Sequence, residues 1–98
     1  MKWTLEEGIG VARMFEKIVS PLGFHVALGG GVLLRGESIK DLDLFVYPHQ
    51  KSTSNLTRVK EALQTLVKDF QPCGHKYDQK EVYKCLFLGQ RIDFFFLS

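Results

Sequence analysis

Residues 28–46 read LGGGVLLRGESIKDLDLFV, and the interpretation of this stretch decides the fold. An apolar run ends in three glycines, Gly29, Gly30 and Gly31. A short basic connector follows, and Asp41-Leu42-Asp43 then opens a second apolar run. Side chains alternate sides along a strand, so Asp41 and Asp43 point to one face. A glycine-rich turn lets backbone N–H groups approach an anion closely. Two carboxylates beside such a turn point to a divalent metal ion, a polyphosphate, or both.

The flanking segments read as strands. Phe24–Leu28 is a short apolar run that predicts a buried strand, with His25 inside it as a hydrogen-bonded structural residue. The glycines make a turn, Val32–Arg35 a single helical turn, and Gly36-Glu37-Ser38 the return. Asp41–Tyr47 predicts the second strand. Asp41, Asp43, Phe45 and Tyr47 share one face, and Leu42, Leu44 and Val46 share the other, which suits a core. Pro48 ends it.

Upstream, residues 4–20 predict an amphipathic helix. Thr4 followed three residues later by Glu7 is a capping-box pattern. Leu5, Ile9, Ala12, Phe15 and Val19 lie on one stripe. Gly8 and Gly10 each cost about 1 kcal/mol relative to alanine, so the first turns are either loose or closely packed. Ser20-Pro21 and Gly23 stop the helix.

Downstream, the polar residues 49–55 predict a loop leading into a helix cap at Ser52, Thr53 or Ser54. Residues 55–70 predict a second helix, with Leu56, Val59, Leu63, Leu66, Val67 and Phe70 at helical spacing and Arg58, Lys60, Glu61, Gln64 and Lys68 outside. Pro72 and Gly74 break it, and residues 74–80 are too polar to assign. Val82–Leu88 and Arg91–Leu97 predict a hairpin around Gly89-Gln90, a two-residue loop with glycine first. That register opposes Leu86 to Asp93 and Lys84 to Phe95. It gathers Lys84, Arg91 and Asp93 on one face and Cys85, Phe87, Ile92, Phe94 and Phe96 on the core side.

Composition bounds the rest. Ninety-eight residues suffice for one domain, residues 1–98. A chain that is 45% hydrophobic and 24% charged is an ordinary globular one, and its eight phenylalanines predict an aromatic core. The net charge of +2 comes without a basic stripe, and so neither requires nor excludes a nucleic-acid partner. Two cysteines, Cys73 and Cys85, are too few for a disulfide scaffold. The opening MKWTLEEGIG lacks the apolar core of a signal peptide, and no apolar run has the length of a membrane span. A cytoplasmic protein with reduced thiols is expected. Cys73, His75 and Cys85 with His25 or His49 match no common zinc spacing, and Cys85 reads as a small core residue.

Asp93 is the most informative single residue. It interrupts Ile92, Phe94, Phe95, Phe96 and Leu97, where an uncompensated carboxylate costs several kcal/mol. Arg91, Lys84 or a bound metal would supply the compensating charge. Together with Asp41 and Asp43 it makes three carboxylates that repel one another without a cation. They are hard oxygen ligands suited to magnesium or manganese. A two-metal phosphoryl-transfer site needs this arrangement.

Gly29-Gly30, Asp41-Leu42-Asp43 and Asp93 together resemble the nucleotidyltransferase superfamily with the DNA polymerase beta-type palm. Its pattern is a Gly-Gly or Gly-Ser turn, roughly a dozen residues, Asp-x-Asp, and a third carboxylate on a following strand. Gly-Gly-Gly-Val-Leu is similar to the Gly-Gly-x-x-Leu form of minimal stand-alone members found in toxin–antitoxin and abortive-infection systems. Ser38-Ile39-Lys40-Asp41-Leu42-Asp43-Leu44 is likewise close to the family's segment through the carboxylate pair. The resemblance covers residues 24–47 closely and reaches 97 through Asp93.

The resemblance implies a single α/β (α+β) palm, with a mixed sheet of about four strands and two main flanking helices. It implies transfer of a nucleoside monophosphate from an NTP such as ATP to a hydroxyl acceptor on RNA, protein or a small molecule. Asp41 and Asp43 would bind both magnesium (or manganese) ions, and Asp93 the catalytic one, while acting as or orienting the base. Gly29, Gly30 and Gly31 would cradle the triphosphate, and Ser38 or Lys40 would touch phosphate. Where the family often has Ser after the first Gly, this chain has Gly30, which removes a hydroxyl contact. Arg35 reads as a surface residue. Family members generally carry a further helical domain, whereas this sequence runs one residue past the last strand. A helical partner protein, a second copy, or a macromolecular acceptor is therefore expected to complete the site. The rival expectation is a catalytically inactive palm acting as a binding module: an antitoxin, an inhibitor or a subunit of a larger assembly.

Overall fold

The computed structural model describes residues 2–38, 41–49, 56–73 and 81–97. In chain order the elements are β1 (Trp3–Thr4), α1 (Leu5–Val19), a 3₁₀ turn (Ser20–Leu22), β2 (Phe24–Gly29), α2 (Gly30–Arg35), β3 (Glu37–Ser38), β4 (Asp41–Pro48), α3 (Leu56–Gln64), β5 (Lys68–Pro72), β6 (Glu81–Phe87) and β7 (Gln90–Phe96). The main sheet has five strands in the order β2-β4-β7-β6-β5, and β1 and β3 form a separate two-stranded ribbon. β4 and β7 run parallel, and the other pairs are antiparallel. The predicted cap at Ser52–Ser54 and residues 74–80 lie outside the described residues.

Strict alternation along β4 and β7 sorts the two faces. Leu42, Leu44 and Val46 sit beside Ile92, Phe94 and Phe96, and all six are buried. Against them pack Phe15 and Val19 from α1 and Val59 and Leu63 from α3, in one continuous core. Phe15 meets the rings of Phe87 and Phe94 edge-on, at 5.4 and 5.3 Å between centroids. Both main helices cover this single face. The face bearing Asp41, Asp43, Phe45 and Asp93 is left uncovered by them.

α1 begins as its sequence predicts. The Glu7 N–H donates to the Thr4 hydroxyl, and the Thr4 N–H donates to the Glu7 carboxylate, closing a capping box. Its buried stripe is rotated from the expected one, however. Leu5 and Ile9 remain 37% and 39% exposed, while Gly8, Phe15 and Val19 are buried. The reason is Gly8, which brings the helix backbone onto the sheet. A Cβ there would stand 3.0 Å from Leu42 Cδ1 and 3.2 Å from both Leu28 Cδ1 and Val32 Cγ1. Of the two alternatives for the glycines, close packing holds at this position.

The second helix is shorter than its periodicity predicts. α3 stops at Gln64, and Lys68–Pro72 instead forms the edge strand β5. The Thr65 hydroxyl donates to Ala62 O (2.7 Å) and the Leu66 N–H to Leu63 O (3.0 Å), which closes the helix with a tight turn. Asp69 takes a positive φ of 55°, where the ladder with β6 is irregular. Phe70 then stacks on Tyr83, 4.8 Å between centroids. Pairing β6's outer edge and seating Phe70 on the core outweigh a helical preference worth only tenths of a kcal/mol per residue. The sheet therefore has a fifth strand beyond the four expected.

The hairpin forms, but two residues out of the predicted register. Its loop is Leu88-Gly89, both at positive φ (54° and 79°), with Phe87 opposite Gln90. Leu86 faces Arg91 and Lys84 faces Asp93. A two-residue loop with both φ values positive matches the strand twist, and glycine serves it at the second position as well as the first. A shift of two preserves the faces, so the predicted core side survives.

Leu88 is 78% exposed and holds a left-handed conformation that costs an ordinary L-residue roughly 1–2 kcal/mol. Leu88→Asn is expected to stabilise the protein by about 1 kcal/mol, raising Tm by about 4–8 °C in calorimetry. A lowered Tm would count against the left-handed turn.

Candidate metal centre beside the glycine turn

Three registers build the site. The parallel β4–β7 ladder puts Asp43 beside Asp93 and Asp41 beside Arg91. The antiparallel β2–β4 ladder puts Gly29 beside Asp43. The β6–β7 hairpin puts Lys84 beside Asp93. One carboxylate oxygen from each of Asp41, Asp43 and Asp93 can then lie within 4.8 Å of the other two. The three predicted acidic residues are thus brought together.

Asp93 is only 7% exposed, and its compensating cation is Arg91. The Arg91 Nε donates to Oδ1 at 2.9 Å and Nη2 to Oδ2 at 3.3 Å. That fork pushes the Arg91 guanidinium further above its ordinary range. Lys84, on the neighbouring strand, is exposed. The Trp3 Nε1–H donates to Arg91 O at 2.8 Å and so pins the start of β7 to β1. Asp43 is pushed up to about 6, first by burial and then by the charges of Asp41 and Asp93, with Arg91 opposing.

The glycine turn closes onto the same place. Gly30 has φ +68°, and a Cβ on it would overlap the Asp43 carboxylate. A Cβ on Gly29 would run into the Phe45 ring, and one on Gly31 into the Arg35 guanidinium. Arg35 itself is exposed, as expected. Of the other predicted phosphate contacts, the Ser38 backbone lies in β3 opposite Trp3, and Lys40 lies outside the described residues.

A cleft of about 360 Å³ opens here, lined by Gly30, Asp43, Arg91 and Asp93 together with Phe45 and Phe95. Phe45 and Phe95 stack at 4.9 Å between centroids. Each follows its carboxylate by two residues, so the parallel register that joins the acids joins the rings as well. The alternation Asp-x-Phe in both strands carried that signal, but the pairing of the strands did not show in the sequence.

Hard oxygen donors within one ion's reach, mutual repulsion among the carboxylates and a glycine in place of any side chain fit a divalent cation. Among the described residues, the cysteines do not join the histidines in a group of three or more metal ligands. Cys85 is buried, with its thiol pushed up to about 12 by burial and then by Asp93, and both cysteines are free. His75 lies outside the described residues. Among the described residues, no helix is long and apolar enough to cross a membrane.

No family model matches the chain, and no curated protein sequence matches it. Among solved structures the chain is similar to Cid1, reported for the structural plasticity that underlies its RNA terminal uridylyl transferase activity. The TM-score is 0.63 at 14% identity, over 96% of this chain. The chain spans 30% of the length of that Cid1 chain. At such identity the likeness concerns the fold. It is a nucleotidyltransferase-like α+β fold built on a five-stranded mixed sheet, and the acidic triad it carries is a possible metal-binding group.

The Asp43 value of about 6 lies above the ordinary 3.8, so the folded state favours the proton. Stability from this group is full below the ordinary value and is lost as pH rises through about 6. At pH 7.5 without metal, Asp43→Asn removes the ionised carboxylate and is expected to raise Tm. Manganese should raise the Tm of the wild type and leave that of Asp43→Asn unchanged. Thermal scans with and without the ion check both signs.

Proposed function

We propose that the protein is a metal-dependent nucleotidyltransferase that moves a nucleoside monophosphate from an NTP to a hydroxyl, releasing pyrophosphate. The observation that carries this reading is the convergence of Asp41, Asp43 and Asp93 beside a glycine turn that approaches Asp43 without a side chain. Asp41 and Asp43 hold magnesium or manganese, with Asp93 as the third ligand. Bound there, the cations lower the pKa of the attacking hydroxyl and steady the leaving pyrophosphate.

The protein's own groups do the remaining work. Asp93 orients the acceptor hydroxyl and receives its proton. Gly29, Gly30 and Gly31 present backbone N–H groups to the triphosphate, and Ser38 and Lys40 add phosphate contacts. Arg91, forked on Asp93, adds positive charge at the site's rim. Residues 1–98 act as the minimal catalytic domain. RNA or protein is the favoured acceptor, and the RNA substrate of Cid1 supports the former. A helical partner protein or a second copy covers the face that bears the three aspartates. The setting is cytoplasmic, in a toxin–antitoxin or defence system.

A second reading has one observation in its favour. The Arg91 fork already compensates Asp93, and a palm that no longer needs metal would keep such a pair. The protein would then be a binding module.

Two experiments divide the readings. Labelled NTPs, magnesium and pools of RNA, protein and small molecules should give label transfer. Asp43→Ala should reduce it by about a thousandfold, equivalent to several kcal/mol of charge stabilisation. Absence of transfer to every pool overturns the enzyme. In calorimetry, an active site should bind NTP more tightly with magnesium present. Affinity indifferent to magnesium identifies the binding module.

A further inference from the structure

The opposite end of β2 and β4 gathers a different set of ligands. Glu16 comes from α1, His25 from β2, and His49 follows the last residue of β4. His25 Nδ1 lies 2.8 Å from Glu16 Oε2, and His25 Nε2 lies 3.0 Å from His49 Nδ1. His25 stands opposite Tyr47, four rungs along the ladder from Gly29 and Asp43. At about 3.3 Å per residue, roughly 13 Å separates the two places.

Each member of the set is held. Glu16 receives the Val26 N–H on its other oxygen at 2.7 Å, which fixes the carboxylate against the ring. His49 donates its backbone N–H to Gly23 O at 2.7 Å. In the neutral ring a carboxylate at Nδ1 keeps the proton there, so Nε2 accepts from the His49 Nδ1–H; a cation between the rings takes that proton's place, the His49 proton moving to its Nε2. Metal-bound histidines are oriented by a carboxylate or carbonyl in this same way. A zinc ion bound tetrahedrally by two imidazoles needs its nitrogens about 3.3–3.4 Å apart. The observed 3.0 Å is a few tenths short of that, within reach of a small rotation of the exposed His49 ring.

We propose that His25 and His49 form a second metal site, for a late first-row cation of the zinc class. Glu16 is its positioning residue, and solvent completes the coordination. Imidazole nitrogens select zinc, nickel or copper, whereas the carboxylates at the other end select magnesium or manganese. One sheet thus sorts two classes of cation between its ends. The bound ion ties α1 to β2 and to the end of β4, and adds stability by mass action. The site stands independently of the nucleotidyltransferase reading.

The test uses the full chain carrying Asp43→Asn, so that the acidic triad contributes little. Zinc titration followed by calorimetry and by imidazole nitrogen NMR should show one ion per chain, with both His25 and His49 signals moving. Magnesium at the same concentration should leave those signals in place. His49→Ala should weaken zinc binding more than tenfold and abolish the zinc-dependent rise in Tm. Glu16→Gln should weaken it 10–100-fold, the usual effect of losing an orienting carboxylate. Zinc affinity unchanged in His49→Ala overturns the site, as do imidazole signals that zinc does not move. His49 is exposed, so circular dichroism of His49→Ala should match the parent, and a loss of folding would itself contradict the placement of His49.

Discussion

The parallel ladder between Asp41–Val46 and Arg91–Phe96 is the constraint on which the rest of the molecule depends. On one face its rungs join Leu42 to Ile92, Leu44 to Phe94 and Val46 to Phe96. On the other they join Asp41 to Arg91, Asp43 to Asp93 and Phe45 to Phe95. Because side chains alternate, these two sets cannot be separated. A slip of β7 by one residue would carry Asp93 into the core and turn Phe94 and Phe96 toward the cleft. The core residues therefore hold the site in register, and the site needs no other device to bring its two strands together.

That ladder works against an electrostatic cost. Three carboxylates share one small volume, and burial together with the neighbouring charges drives Asp43 up to about 6. A protein selected for stability alone would not keep this arrangement. Arg91 relieves part of the strain by forking Asp93, and the Trp3 contact holds Arg91's backbone in turn. A divalent cation bound there would offset the mutual repulsion of the three carboxylates. The glycine turn acts through shape. Gly30 lets the backbone come against Asp43 where any larger residue would collide.

The same two strands end differently. At the Gly29 and Asp43 end the donors are hard oxygens. At the His25 and Tyr47 end they are imidazole nitrogens backed by Glu16. β2 supplies both ends and lies at the sheet's edge, with its middle residues only half-buried rather than enclosed as a wholly apolar run predicts. An edge strand leaves room beside it for groups from α1 and from the end of β4.

Local chemistry was legible in the amino-acid order. The Thr4–Glu7 cap, the glycine turn, the alternation of Asp41 to Tyr47 and the faces of the final hairpin follow from steric and hydrogen-bonding rules acting over a few residues. The aspartates were legible as a site because three acids placed next to apolar runs need a common explanation. What depends on distant partners was not. The helix predicted through Phe70 ends at Gln64 because β6 offers an edge to residues 68–72, and periodicity alone cannot see that edge. Leu5 and Ile9 stay exposed because Gly8 turns α1 toward Leu42. The hairpin turns at Leu88-Gly89 because its left-handed loop suits the strand twist there. Arg91 rather than Lys84 as the partner of Asp93, and His25 facing His49, were likewise decided by tertiary contact. Sequence alone determined which residues could do chemistry. Folding determined which of them meet, because strand pairing joins residues that no local rule connects.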